Sequence, residues 1–203
     1  SKDYKHLFGL AKALSEEGYA VVRFEPTGTW ESEGDISDYT TTQYLEDIKK
    51  VLEYMLSQTN YKHILLGGHS RGGQVSILYA ARDRRISLVL GIMPSSKHAM
   101  AGQRYKDWEK KGVSISYRDL PDNRNEKKEF RVPFSHVQDR ERYNLLEDVR
   151  KIKAPVILIA GELDTICLPE HVKEIFDKAN QPKKFVMIPG IGHDYRHNGI
   201  EVE

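Results

Sequence analysis

An alternation along the chain constrains its fold more than any other feature. Short runs dense in aliphatic and β-branched residues are separated by longer stretches whose apolar residues recur three and four positions apart. Residues 63–66, 86–92, 155–160 and 185–188 read as strands, and 19–24 reads as a further one. Nearly continuous apolar strands are those covered on both faces, as in a parallel sheet with right-handed helical crossovers. Leu7, Leu10, Ala11 and Leu14 mark one helix, stopped by Gly18. Leu45, Ile48, Leu52 and Met55 mark a second over 40–56, and Val75, Leu78 and Tyr79 a third. Val172, Ile175, Phe176 and Ala179 mark another, opened by Pro169, where the first turn needs no amide donor. The expected class is α/β, a mostly parallel sheet with helices on both faces.

Residues 95–142 break the alternation and read as an insertion before a short helix at 144–150. Within it 99–111 has helical spacing. Ile115 and Tyr117 alternate against Phe130, Val132 and Phe134 across the turn residues Pro121, Asp122 and Asn123, which predicts a β-hairpin with one apolar face. The expected organisation is therefore a core of 1–94 and 143–203 interrupted by a cap at 95–142. There is no internal repeat and no low-complexity tract.

At 203 residues a chain can bury a core without cross-links, and the single cysteine, Cys167, leaves no internal disulfide framework and no zinc-ligand spacing. The cytoplasm is the compartment expected from that usage. A net charge of +1 from interspersed charges gives no footprint for nucleic acid. No apolar run approaches the ~20 residues that span a bilayer. The start, Ser1-Lys2-Asp3, has no initiator methionine and no signal-peptide core, so a natural N-terminus upstream is expected.

The chemistry concentrates at Gly68-His69-Ser70-Arg71-Gly72, a G-x-S-x-G pattern. The bare letters arise by chance in roughly one chain in fifteen of this length. Their placement between a strand and a helix is more telling, because a sharp turn there lifts a hydroxyl clear of the sheet. A serine needs a base, and the base needs an acid. Asp164 follows one predicted strand and His193 follows the next, so Ser70, Asp164 and His193 all fall at C-terminal strand ends, where open parallel sheets gather their reactive groups.

With these residues in the order Ser, Asp, His, the sequence resembles the α/β-hydrolase superfamily over essentially its whole length. The closest likeness is to small bacterial serine esterases and serine-aminopeptidase-like members. The resemblance implies Ser70 as nucleophile, Asp164 as the acid that orients the base, His193 as general base and acid, and the backbone N–H of Arg71 as half of the oxyanion hole. It also implies that 95–142 is the lid or cap.

Two departures stand out. In the turn from Glu25 to Asp35, Glu25 replaces the family's Asp and Trp30 its second Gly. The His-Gly element that supplies the second oxyanion donor would precede Ser1, and loss of such a donor costs about 3 to 4 kcal/mol. The family's first strands and closing helix are thus expected to lie outside these residues.

Other residues have plainer readings. Glu162 is the alternative acid, Asp194 a solvated neighbour, His69 a local packing residue and Cys167 a small buried hydrophobe. His63 and His197 carry no constellation. Residues 104–131 hold nine basic and six acidic side chains, which suits either an anionic substrate or a solvated surface. Tyr105, Trp108, Tyr117, Phe130 and Phe134 suit an acyl pocket or the interior of a small cap.

The expected function is a serine hydrolase that cleaves a small carboxylic ester through an acyl-enzyme, with no cofactor and no metal. Its expected partner is a small-molecule ester, without nucleic acid or a membrane span, and a homo-oligomer is compatible with it. The alternatives are a peptidase or acyl-peptide hydrolase with the same triad, and a non-catalytic binding module on the same fold. Hydrogen-bonding distance between Ser70 and His193 separates the last from the others.

Overall fold

The computed structural model describes residues 1–96 and 103–194. Helix α1 (Lys5–Glu16) is followed by an extended segment, a loop with a short 3₁₀ turn, and α2 (Thr41–Gln58). Then come β1 (Ile64–His69), α3 (Arg71–Ala80) and β2 (Ile86–Ile92). The inserted part contains α4 (Gln103–Lys111), β3 (Val113–Asp119), β4 (Lys127–Pro133) and α5 (Ser135–Arg140). Helix α6 (Leu145–Val149), β5 (Val156–Gly161), α7 (Pro169–Lys178) and β6 (Lys183–Ile188) complete the order.

Local chemistry sets the helix starts. The Thr40 hydroxyl accepts from Gln43 N at 3.0 Å to cap α2, and Asn144 Oδ1 accepts from Glu147 N at 3.2 Å to cap α6. Pro169 occupies the first turn of α7, as its fixed φ favours. Helix α3 has no side-chain cap, so its first amides are left for the groups that gather around Ser70.

Strands β1, β2, β5 and β6 form one parallel sheet in the order β1-β2-β5-β6. One face carries the main core: Val75 and Ile77 of α3, Val89 of β2, Val156 and Leu158 of β5, Val149 of α6, and Val172 and Ile175 of α7. On the other face Ile92, Met93, Cys167 and Ile191 form a smaller cluster, against which Leu10 of α1 packs with Leu90 and Ile159. Because all four strands run the same way, their C-terminal ends share one rim, and the segments following β1, β5 and β6 meet there.

Two expectations need correction. The segment at 19–24 forms no strand: among the described residues no ladder pairs with it, and Tyr19, Val21 and Val22 are exposed. Ladder hydrogen bonds make a strand, and apolar side chains alone do not. The segment and β1, whose Leu65 is also exposed, line the same cavity of about 1000 Å³.

The hairpin exists, yet its apolar residues do not share one face. The register pairs Ile115 with Arg131 and Tyr117 with Glu129, whereas Phe130 and Val132 pair with Ser116 and Ser114. Ile115 and Tyr117 are therefore on the exposed face, since one residue of register moves every side chain to the opposite side. Phe134 lies beyond β4 and starts α5, a helix that sequence periodicity does not mark. The start of the helix expected at 99–111 lies outside the described residues in part, and the helix is present from Gln103.

Leu158 is fully buried at the centre of the main core. Leu158→Ala is expected to cost about 2 to 5 kcal/mol by lost transfer energy and an unfilled cavity. The shift of the urea unfolding midpoint at unchanged slope measures it.

Candidate functional site

The site is built around a strained turn. Ser70 has φ 54° and ψ −116°, its N–H donates to Ile92 O at 2.8 Å, and α3 begins at the next residue. This conformation carries the chain abruptly from strand to helix and brings backbone against backbone. A Cβ on Gly68 would lie 2.5 Å from the Gly72 carbonyl carbon, and one on Gly73 would lie 2.8 Å from Gly68 O. At Gly72 an added Cβ would meet only the Tyr44 hydroxyl, at 3.4 Å. Glycine is thus demanded most strictly at 68 and 73, and Gly73 lies outside the pattern read from the sequence.

The structure brings Ser70, His193 and Asp164 together. His193 Nδ1 donates to Asp164 Oδ2 at 2.8 Å, and His193 Nε2 lies 3.0 Å from Ser70 Oγ. Asp164 is 2% exposed, and its other oxygen, Oδ1, accepts from the N–H groups of Ile166 and Cys167, both at 2.8 Å. Burial pulls the imidazole of His193 toward its neutral form, but the Asp164 carboxylate and the neighbouring Cys167 sulfur outweigh it, and its pKa is pushed up to about 9.

The other candidates fall elsewhere. Glu162 Oε2 accepts from Gly190 N at 2.8 Å, bracing the loop that leads to His193. Asp194 is exposed. The ring of His69 lies between His6, at 5.2 Å, and His193, at 4.8 Å between centroids. His63 is exposed at the start of the sheet, and His197 lies outside the described residues. Cys167 is buried in the smaller cluster. Its sulfur, an Asp164 oxygen and a His193 nitrogen lie within 4.8 Å of one another, the spacing of metal ligands. The carboxylate and Nδ1 of that trio already satisfy each other and the turn.

The two departures in the 25–35 turn have structural roles. Trp30 keeps the left-handed conformation that glycine favours, with φ 48°. Its ring packs edge-on against Tyr4 at 5.6 Å and Phe130 at 5.2 Å, tying α1 and the hairpin to the turn. The buried Glu25 carboxylate accepts from Lys2 N at 2.8 Å and from the Ser1 hydroxyl.

The cap aromatics divide. Trp108 and Phe130 line the cavity that also holds Ser70 and His193, while Tyr105 and Phe134 pack on each other at 5.4 Å and Tyr117 is exposed. Gln74, His136 and Arg140 also line the cavity, and no sequence signal marks them. Gln74 Oε1 accepts from Arg140 Nη2 at 3.1 Å, while its Nε2 donates to Ser95 O at 2.6 Å. No motif or periodicity marks Arg140, which comes near α3 only through the fold.

Comparison with known proteins agrees with this architecture. Residues 1–144 match the family model described as serine aminopeptidase, S33. The mouse protein named palmitoyl-protein thioesterase ABHD10, mitochondrial, is 25% identical over 178 residues, covering 84% of this chain and 57% of that protein. An uncharacterised protein of Mycobacterium tuberculosis is 33% identical over 187 residues, covering 91% of this chain and 57% of its own length. The chain thus spans little more than half of these relatives. Among solved structures, Est1E from Butyrivibrio proteoclasticus with ferulic acid bound superposes with a TM-score of 0.78 at 23% identity, over 97% of this chain and 78% of that one. The fold is the α/β-hydrolase fold. No described helix is long and apolar enough to cross a membrane.

The electrostatics of His193 give a direct expectation. Its imidazole should titrate well above the ordinary 6.5, at up to about 9, in an NMR pH titration. A raised folded-state value stabilises the fold fully below the unfolded value of about 6.5, and that contribution is lost as pH rises through the folded value. An imidazole titrating at or below 6.5 would show that burial outweighs the Asp164 carboxylate.

Proposed function

The chain belongs to the serine aminopeptidase, S33, family of α/β-hydrolases, and on that premise we propose that it is a serine hydrolase cleaving a small carboxylic ester through an acyl-enzyme. One observation carries the reading: the continuous line from Ser70 Oγ through the His193 ring to Asp164 Oδ2, with steps of 3.0 and 2.8 Å. This spacing favours catalysis over a binding-only role, because each contact is within proton-transfer reach.

In the proposed cycle neutral His193 takes the Ser70 proton at Nε2 as Oγ attacks the ester carbonyl. The N–H of Arg71, at the uncapped start of α3, donates to the developing oxyanion. Asp164 accepts from Nδ1–H and so stabilises the imidazolium. His193 then gives its proton to the departing alcohol. Water, deprotonated by the same nitrogen, attacks the acyl-enzyme and releases the carboxylic acid and Ser70. The bonds balance without a cofactor. In this reading residues 95–142 cap the core formed by 1–94 and 143–203, and Trp108 and Phe130 face the acyl group from the cap.

A second reading has the same machinery cleaving an amide, favoured by the family's description as serine aminopeptidases. The thioesterase name of the mouse relative adds thioesters to the substrates worth testing. That relative's name also places it in mitochondria, so the likeness lends no support to a cytoplasmic location. Amide turnover matching or exceeding ester turnover would favour the peptidase reading.

Ser70→Ala is expected to abolish covalent labelling by a fluorophosphonate, and labelling of the variant at the parent rate would sink the proposal. Because the base must be neutral, kcat/KM should climb between pH 7 and 9 as His193 loses its proton. A profile that falls over this range would exclude His193 as the base.

A further inference from the structure

The wall of the cavity beside Ser70 holds two guanidiniums that nothing described neutralises. Arg71 follows the nucleophile directly, and Arg140 reaches the same cavity from α5. Among the described residues neither has a carboxylate within 4.0 Å, although six other arginines do. Their hydrogen bonds go to neutral groups: Arg71 Nη2 to Thr41 Oγ1 at 2.7 Å, and Arg140 Nη2 to Gln74 Oε1 at 3.1 Å. Arg71 Nε is buried with no partner among the described residues.

The nearby acids are otherwise committed. Asp139, adjacent to Arg140 in sequence, accepts from Thr42 N at 2.9 Å, from the Thr42 hydroxyl, and from Arg142 at 3.4 Å. Glu25 of the same cavity is held by Ser1 and Lys2, and Asp194, beyond His193, is exposed. His136, stacked on Trp108, supplies no negative charge and donates Nδ1–H to Tyr39 O at 2.6 Å. Burial and then the charge of Arg71 depress the pKa of His136 to about 4, and the same causes bring Arg140 down to about 10. Two like charges partly withdrawn from water, without a counter-ion, are costly in an empty site and become favourable when an anion enters. The guanidinium fork is the group best matched to a planar carboxylate.

We propose that Arg71 and Arg140 receive a free carboxylate of the substrate, so that the site prefers esters of dicarboxylic acids with one carboxyl group ionised. The proposal rests on the ester-hydrolase reading for its reaction, but the carboxylate site itself is a matter of binding. Gln74 is a positioning residue: its amide, fixed by Ser95 O, turns its oxygen to Arg140 and holds the guanidinium at the wall of the cavity that Ser70 also lines. The acyl portion then has its ester carbonyl at Ser70 and its second carboxylate at the arginines.

The monoethyl esters of succinate, glutarate and adipate can be compared with ethyl esters in which an isopropyl group replaces the free carboxylate, acid release being followed in a pH-stat. The best diacid monoester is expected to exceed its neutral partner in kcat/KM by at least about tenfold, the scale of a charge-assisted hydrogen bond. Arg140→Gln should reduce that ratio at least about tenfold, and Arg140→Lys should retain part of it. The ratio is taken within each protein, so any loss common to both esters cancels. A ratio near one in the parent, or one unchanged in Arg140→Gln, would overturn the proposal. If neither series is hydrolysed, the ester-hydrolase reading fails separately. Calorimetric titration of Ser70→Ala with the three monoesters then decides the carboxylate site. Binding weakened about tenfold or more by adding Arg140→Gln supports the site, whereas equal binding, or none in either protein, rejects it.

Discussion

Everything at the rim of this sheet depends on how closely two stretches of backbone pass at the end of β1. Ser70 stands clear of the strand because its φ is 54°, and that φ is tolerable only where Gly68 and Gly73 let the chain fold back on itself at contact distance. The turn leaves α3 without a side-chain cap and its first amides facing the groups around Ser70. The loops after β5 and β6 are equally tight: a Cβ on Gly161 would lie 2.5 Å from Ile191 O. Asp164 and His193 meet because those loops touch.

Much of this was legible because parallel strands advertise themselves twice, by apolar runs and by the reactive residues at their C-terminal ends. The positions of Ser70, Asp164 and His193 followed from that logic, and the geometry brings the three together. The segment at 19–24 has no ladder partner among the described residues, and a strand is a relation between two hydrogen-bonded segments, of which composition describes only one. The hairpin lies where the turn residues predict it, with Ile115 and Tyr117 on the face opposite Phe130 and Val132. Its register depends on how the turn closes, with Leu120 N donating to Glu126 O at 3.0 Å, and apolar spacing carries no information about that. Arg140 was invisible for a further reason. It meets Gln74 across 66 residues, on a short helix with no periodic signature.

Two pairs of charged groups in the site are balanced differently. A buried carboxylate and an imidazole balance each other, whereas the two arginines hydrogen-bond, among the described residues, to neutral groups. Trp30 and Phe130 also line the cavity, and the Trp30 ring, carried on a left-handed backbone, packs edge-on against Phe130 of the hairpin.

The division of labour within one carboxylate has a further consequence. Asp164 Oδ1 is anchored by two backbone amides of its own turn, which leaves Oδ2 pointing at His193 with little freedom to rotate. The ordering entropy of the acid, and through it of the imidazole plane, is therefore charged to folding of the 161–167 turn and does not recur with each turnover.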